Sequence, residues 1–132
     1  MMPDMRLGTS PGRKESRRIL IVDDHADSAR TMAVILGRRG HEVRTAFTGA
    51  EGISATAEFV PEWVLLDISL PDMDGFEVAR RIREMPGLEG AFLVAVSGYY
   101  DESAIATAKA AGFNEYMMKP GNFALLCEWL ER

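Results

Sequence analysis

The chain has 132 residues, enough for one domain whose core needs no metal or disulfide staple. Its residues are 47% hydrophobic and 27% charged, and a net charge of -5 argues against general nucleic-acid affinity. The lone cysteine, Cys127, excludes an internal disulfide and reads as a buried small hydrophobe; no apolar run approaches the ~18 residues of a membrane span.

Residues 1–16 are rich in Met, Pro, Gly, Ser and charge, without periodicity, and read as a flexible leader to a domain over 17–132. Arg6, Arg13, Lys14, Arg17 and Arg18 make this end locally basic, and it lacks the apolar middle of a secretory signal. A cytoplasmic protein is the simplest reading.

From Arg18 onward two kinds of segment alternate. Arg18–Val22 is a β-branched run, predicted as a strand buried on both faces. Residues 26–39 place Ala29, Met32, Ala33, Ile35 and Leu36 at helical spacing, and Gly40 stops that helix. His41–Ala46 alternates as an edge strand does. A short helix over 49–58 opens at Thr48 or Gly49, and Glu62–Leu66 is the third strand. Residues 75–84 form a helix with Phe76, Val78, Ala79 and Ile82 on its apolar side, ended by Pro86 and Gly87. Ala91–Val96 is the fourth and most apolar strand. Asp101 is a natural N-cap for a helix through Ala111 that Gly112 stops. Phe113–Met118 is the fifth strand, and Asn122–Glu131 the closing helix.

Five strands alternating with five helices predict an α/β fold with a parallel sheet covered on both faces. Ligands of such folds sit beyond the carboxyl ends of the strands. That rule singles out Asp23 and Asp24, Asp67, Ser97 and Lys119. Close carboxylates repel one another unless a cation sits among them. Mg²⁺ suits oxygen donors and bridges phosphate oxygens. A carboxylate can accept a phosphoryl group covalently when cations offset the charge on the equatorial oxygens. Here a metal supplies one cation and Lys119 another, while Ser97 can donate a hydrogen bond.

These residues resemble the receiver domain of two-component response regulators. The resemblance runs from about Arg18 to Arg132. It is carried by Val22-Asp23-Asp24 after the first strand, Leu66-Asp67 with Pro71 and Gly75 downstream, Ser97 after the fourth strand, and Lys119-Pro120 after the fifth. It implies a flavodoxin-like doubly wound sheet of order 2-1-3-4-5. It makes Asp67 the phosphoacceptor, Asp24 the direct metal ligand, Asp23 its neighbour that acts through water, and the Ser69 backbone carbonyl the remaining protein ligand for Mg²⁺. Ser97 matches the switch hydroxyl, Tyr116 the switch aromatic, and Lys119 the lysine that contacts the phosphoryl group. A cis Lys119–Pro120 bond is also implied. The implied donor is a phosphohistidine on a sensor histidine kinase or a histidine phosphotransfer protein. The product is a changed protein-interaction surface, compatible with a phosphorylation-dependent dimer. The resemblance implies a signalling acceptor rather than a dedicated enzyme, and no DNA-reading module is visible.

Two positions depart from the usual pattern. Ser69, two residues after Asp67, is neither acid nor amide, and a bulky Tyr99 stands two residues after Ser97. In the family these positions border the path of the hydrolytic water, so a long-lived phosphorylated state is expected. Ser69 also counts against an aspartyl-nucleophile phosphatase, which carries an acid there. A receiver-like module that is never phosphorylated is the other alternative. His25 reads as a helix-start residue, and Asp72 and Asp74 as turn and capping residues.

Overall fold

Successive residues of a strand point to opposite faces, so strands apolar at both parities need cover on both sides. The computed structural model, which describes residues 16–98, 101–119 and 123–130, has that arrangement. The elements are β1 Arg18–Val22, α1 Ala26–Arg38, β2 Glu42–Ala46, α2 Gly49–Phe59, β3 Trp63–Asp67, α3 Gly75–Arg83, β4 Phe92–Ser97, α4 Glu102–Ala111, β5 Glu115–Met118 and α5 Phe123–Leu130. The sheet is wholly parallel, in the order β2-β1-β3-β4-β5. This is the doubly wound sheet expected from the sequence.

Strand parity divides the core. Leu20, Val22, Val64, Leu66, Leu93 and Ala95 face the side covered by α2, α3 and α4, where they meet Val78, Ile82 and Ala108. Ile19, Ile21, Leu65 and Val94 face the other side, against Ala29 and Leu36 of α1 and Leu126 and Trp129 of α5. Every residue of β3 is buried, as its central place requires. β2 alternates exposed and half-buried residues over Glu42–Thr45, as an edge strand does, and ends on the buried Ala46.

β3 and β4 each end one residue later than the sequence suggests. Asp67 pairs with Val96 and Ser97 with Met118, so both are the last rungs of the ladder rather than loop residues. β5 starts later than expected because its first residues serve the preceding helix. Gly112 takes a left-handed φ of 107°, and Phe113 N–H caps α4 by donating to the Ala108 carbonyl at 3.0 Å. Asp101 caps the start of α4 by accepting from Ser103 N–H at 2.8 Å, as expected. Arg83 ties the far end of α3 to the rest, donating to the carbonyls of Gly112 at 2.7 Å and Ala91 at 2.7 Å and to Asn114 Oδ1 at 2.8 Å. No helix among the described residues is long and apolar enough to cross a membrane. The expected leader, apart from Ser16, lies outside the described residues, as do Tyr99, Pro120, Asn122 and Glu131.

The turn after Asp67 depends on Gly75. Its N–H bonds the Ile68 carbonyl at 3.2 Å, and Ser69 pairs with Asp74 as an isolated bridge. A Cβ at residue 75 would run into the Ile68 backbone and stand 2.9 Å from the Asp67 carbonyl oxygen. Backbone atoms at such distances cannot swing aside as a side chain can. Gly75→Ala is therefore expected to destabilise the fold by about 1–3 kcal/mol, the usual cost of overpacking. Urea unfolding measures this, and an unchanged midpoint would contradict the close approach.

Candidate functional site

The carboxyl ends of β1, β3 and β5 converge on one pocket. Asp67 is 3% and Asp23 8% exposed, so both carboxylates are nearly removed from water. Unpaired, each would carry a large desolvation cost. Lys119, directly after β5, compensates both: its Nζ lies 2.9 Å from Asp67 Oδ2 and 3.1 Å from both carboxylate oxygens of Asp23. The other oxygen of Asp67, Oδ1, accepts from the Ser69 N–H at 2.8 Å. The Asp67 carboxylate is thus oriented at both oxygens. Asp23, Asp67 and Lys119 also line a cavity of about 110 Å³, together with Ala29, Met32 and Leu126 from α1 and α5.

Burial works against the charge on Lys119, but hydrogen bonds and Coulombic attraction from Asp67 and Asp23 outweigh it and hold the pKa above the usual lysine value. A cation whose folded pKa is raised stabilises the fold fully below its unfolded pKa. That contribution is intact at neutral pH and is lost only as pH climbs through the alkaline range above the ordinary lysine value.

Asp24, beside Asp23, is exposed at the rim. One oxygen from each of Asp23, Asp24 and Asp67 and one nitrogen of His25 lie within 4.8 Å of one another. The sequence placed the three acids together but left His25 as a helix-start residue. It does occupy the N-cap of α1, and its ring also faces the cluster. Nδ1 is 3.2 Å from Asp23 Oδ1, 3.5 Å from Asp24 Oδ1 and 3.2 Å from Lys119 Nζ. The available signal was its position directly after an acid pair at a strand end.

The other acids of the region have structural work. Asp74 caps α3, accepting from Phe76 N–H at 2.8 Å. Asp72 reaches across to α2 and accepts from Gly49 N–H at 2.7 Å and Ala50 N–H at 2.9 Å. Those two backbone hydrogen bonds hold its carboxyl below the usual carboxylate range. Both therefore act as the turn and capping residues the sequence suggested, and Asp72 pins the β3–α3 loop to the neighbouring helix.

Ser97 is fully buried at the end of β4, and its carbonyl accepts the Lys119 N–H at 2.6 Å. Tyr116 pairs in register with Ala95 and packs, half-buried, on the α2–α3–α4 core. Ser97 lies two residues beyond Ala95, so Ser97 and Tyr116 belong to the same face of the sheet.

The family profile described as response regulator receiver domain matches residues 19–131. One curated relative is an uncharacterized 14.6 kDa protein encoded 3' of sodA1 in Leptolyngbya boryana, 34% identical over 102 residues, which cover 77% of this chain and 78% of that protein. The transcriptional regulatory protein KdpE of Mycobacterium tuberculosis is 37% identical over 102 residues, covering 77% of this chain but 44% of KdpE. The aligned region thus spans less than half of that regulator. A CheY-like response regulator receiver domain protein from Methanospirillum hungatei superposes with a TM-score of 0.81 at 32% identity, over 89% of this chain and 92% of that one. Sequence and architecture agree: this chain belongs to the response regulator receiver domain family.

Proposed function

We propose that this receiver, a signalling domain by family, accepts a phosphoryl group on Asp67 from a phosphohistidine of a sensor histidine kinase or a histidine phosphotransfer protein. The observation that carries the reading is the Asp67 carboxylate itself. It is 3% exposed at the last rung of β3, oriented by the Ser69 amide and balanced by Lys119 at 2.9 Å. Asp23, Asp24, Asp67 and the Ser69 backbone carbonyl are the residues to hold Mg²⁺, and the close-set carboxylate oxygens suit a hard cation. When bound, Mg²⁺ offsets the charge of the phosphoryl oxygens.

In the transfer, an Asp67 oxygen attacks phosphorus in line with the departing imidazole nitrogen. The P–N bond breaks with its electrons going to the imidazole nitrogen, an acyl phosphate forms, and the donor ring, already protonated on its other nitrogen, leaves as neutral imidazole. Lys119 exchanges part of its hold on the carboxylates for a phosphoryl oxygen. The Ser97 hydroxyl donates to another, and Tyr116 takes the room this opens on the shared face. That change is a population shift driven by contacts available only in the phosphorylated state. It alters the surface of α4 and β5, where a protein target or a second copy binds. Ser69 offers no acid to protonate a leaving group, which disfavours the aspartyl-phosphatase alternative.

Incubation with a small acyl phosphate and Mg²⁺ is expected to give a hydroxylamine-labile phosphoryl adduct seen by intact-mass measurement. Asp67→Asn should give none, and Lys119→Met should slow its formation roughly a hundredfold, as loss of one preorganised charge donor does. A wild-type-level adduct on the Asp67→Asn protein would defeat the assignment. The lifetime of the adduct is a separate expectation. By the family resemblance, Tyr99, which lies outside the described residues, and Ser69 hold the positions that border the path of the hydrolytic water, with a bulky ring at one and neither acid nor amide at the other, so Tyr99→Ala should shorten the half-life several-fold. A phosphate-release time course checks this, and an unchanged half-life would remove Tyr99 from the account.

A further inference from the structure

His25 stands at the N-cap of α1, yet its side chain makes no capping hydrogen bond. Its backbone N–H instead donates to Asp23 Oδ1 at 2.9 Å, which folds the residue back over the acid pair. Nδ1 then has two carboxylates and one ammonium as neighbours, all within 3.5 Å. These neighbours make opposite demands. An ammonium only donates, so the Lys119 contact needs a lone pair on Nδ1, whereas the carboxylate contacts need a proton there. A divalent cation satisfies the lone pair and the carboxylates together.

The donors stand close enough to gather on one ion with small side-chain movements. Ligands about 2.1 Å from an octahedral cation stand roughly 3.0 Å apart when adjacent and about 4.2 Å apart when opposite. The four donor atoms of Asp23, Asp24, His25 and Asp67 all lie within 4.8 Å of one another. We propose that His25 contributes an imidazole nitrogen to the cation held by the acid pocket, which biases the pocket from Mg²⁺ towards first-row transition ions such as Co²⁺ and Ni²⁺. Imidazole is a good ligand for those ions and a poor one for Mg²⁺, which prefers oxygen and keeps its waters. The inference rests on reading the Asp67 pocket as a cation site. The His25 side chain is 66% exposed, so an incoming ion meets it without displacing core residues.

The attribution is clean because the chain has 2 histidines. The other, His41, accepts the Arg17 N–H at 3.1 Å at the opposite end of the sheet. The test uses the untagged full chain. Pulsed electron paramagnetic resonance with Mn²⁺ bound should show an imidazole nitrogen coupling in the wild type that His25→Ala lacks. Calorimetric titration should show Co²⁺ affinity falling roughly tenfold or more in His25→Ala and Mg²⁺ affinity falling much less, with thermal unfolding confirming that the variant is folded. No nitrogen coupling in the wild type, or equal losses for both ions, would overturn the proposal. The acyl-phosphate adduct separates this idea from the reading beneath it. A wild-type protein that forms the adduct but shows no nitrogen coupling sinks the role of His25 alone. One that binds Co²⁺ through nitrogen but forms no adduct upholds that role and sinks the phosphoacceptor.

Discussion

Lys119 Nζ lies 2.9 Å from Asp67 and 3.1 Å from Asp23, and this shared ammonium is the contact on which the site depends. Two nearly buried carboxylates at adjacent strand ends repel each other and lose hydration. One cation placed between them offsets both costs, at the expense of its own partial burial. The raised pKa of Lys119 marks which effect wins. Removing the lysine would leave two buried anions with weakened compensation, a far larger penalty than losing a surface ion pair. The arrangement stabilises the resting pocket while keeping its ammonium beside the Asp67 carboxylate.

The sheet makes that contact possible. Asp23 follows β1, Asp67 ends β3 and Lys119 follows β5, so all three stand at the same end only because every strand is parallel. Two backbone bonds at that end continue the ladder past the strands: Ile68 N–H to the Val96 carbonyl at 3.1 Å, and Lys119 N–H to the Ser97 carbonyl at 2.6 Å. They fix where the next residues emerge. Gly75 then lets the chain fold back on Ile68, and Asp72 fastens the loop to α2. The loop after Asp67 is thereby held from three directions, which suits a carboxylate whose orientation matters.

Much of this was legible in the sequence because it follows from periodicity. The apolar runs and helical spacings placed all five strands and five helices, and strand ends named the acids and the lysine. What was not legible depends on long-range register. That Asp67 and Ser97 are ladder rungs needs the pairing to Val96 and Met118, which no local pattern encodes. The late start of β5 came from Phe113 being used as a helix cap, where a tertiary demand overrode an aromatic strand-like run. His25 was read correctly as a helix start, but its ring orientation follows from a backbone bond to Asp23 Oδ1, a three-dimensional detail.

Strand parity has a consequence for how a change at Asp67 would be felt elsewhere. Asp67 continues the parity of Trp63 and Leu65, towards α1 and α5, whereas Ser97 continues that of Leu93 and Ala95, towards α2, α3 and α4. The acid pocket and the Ser97–Tyr116 pair therefore belong to opposite faces of one sheet. At the rim of the sheet the Ser97 carbonyl holds the backbone of the lysine that holds Asp67. A group added beyond the end of β3 stands at that rim and is within reach of both faces. A side chain confined to either face would not be. If Asp67 takes the phosphoryl group as proposed, its place on the last rung of the central strand lets a charge added on the α1–α5 side act on packing at the other.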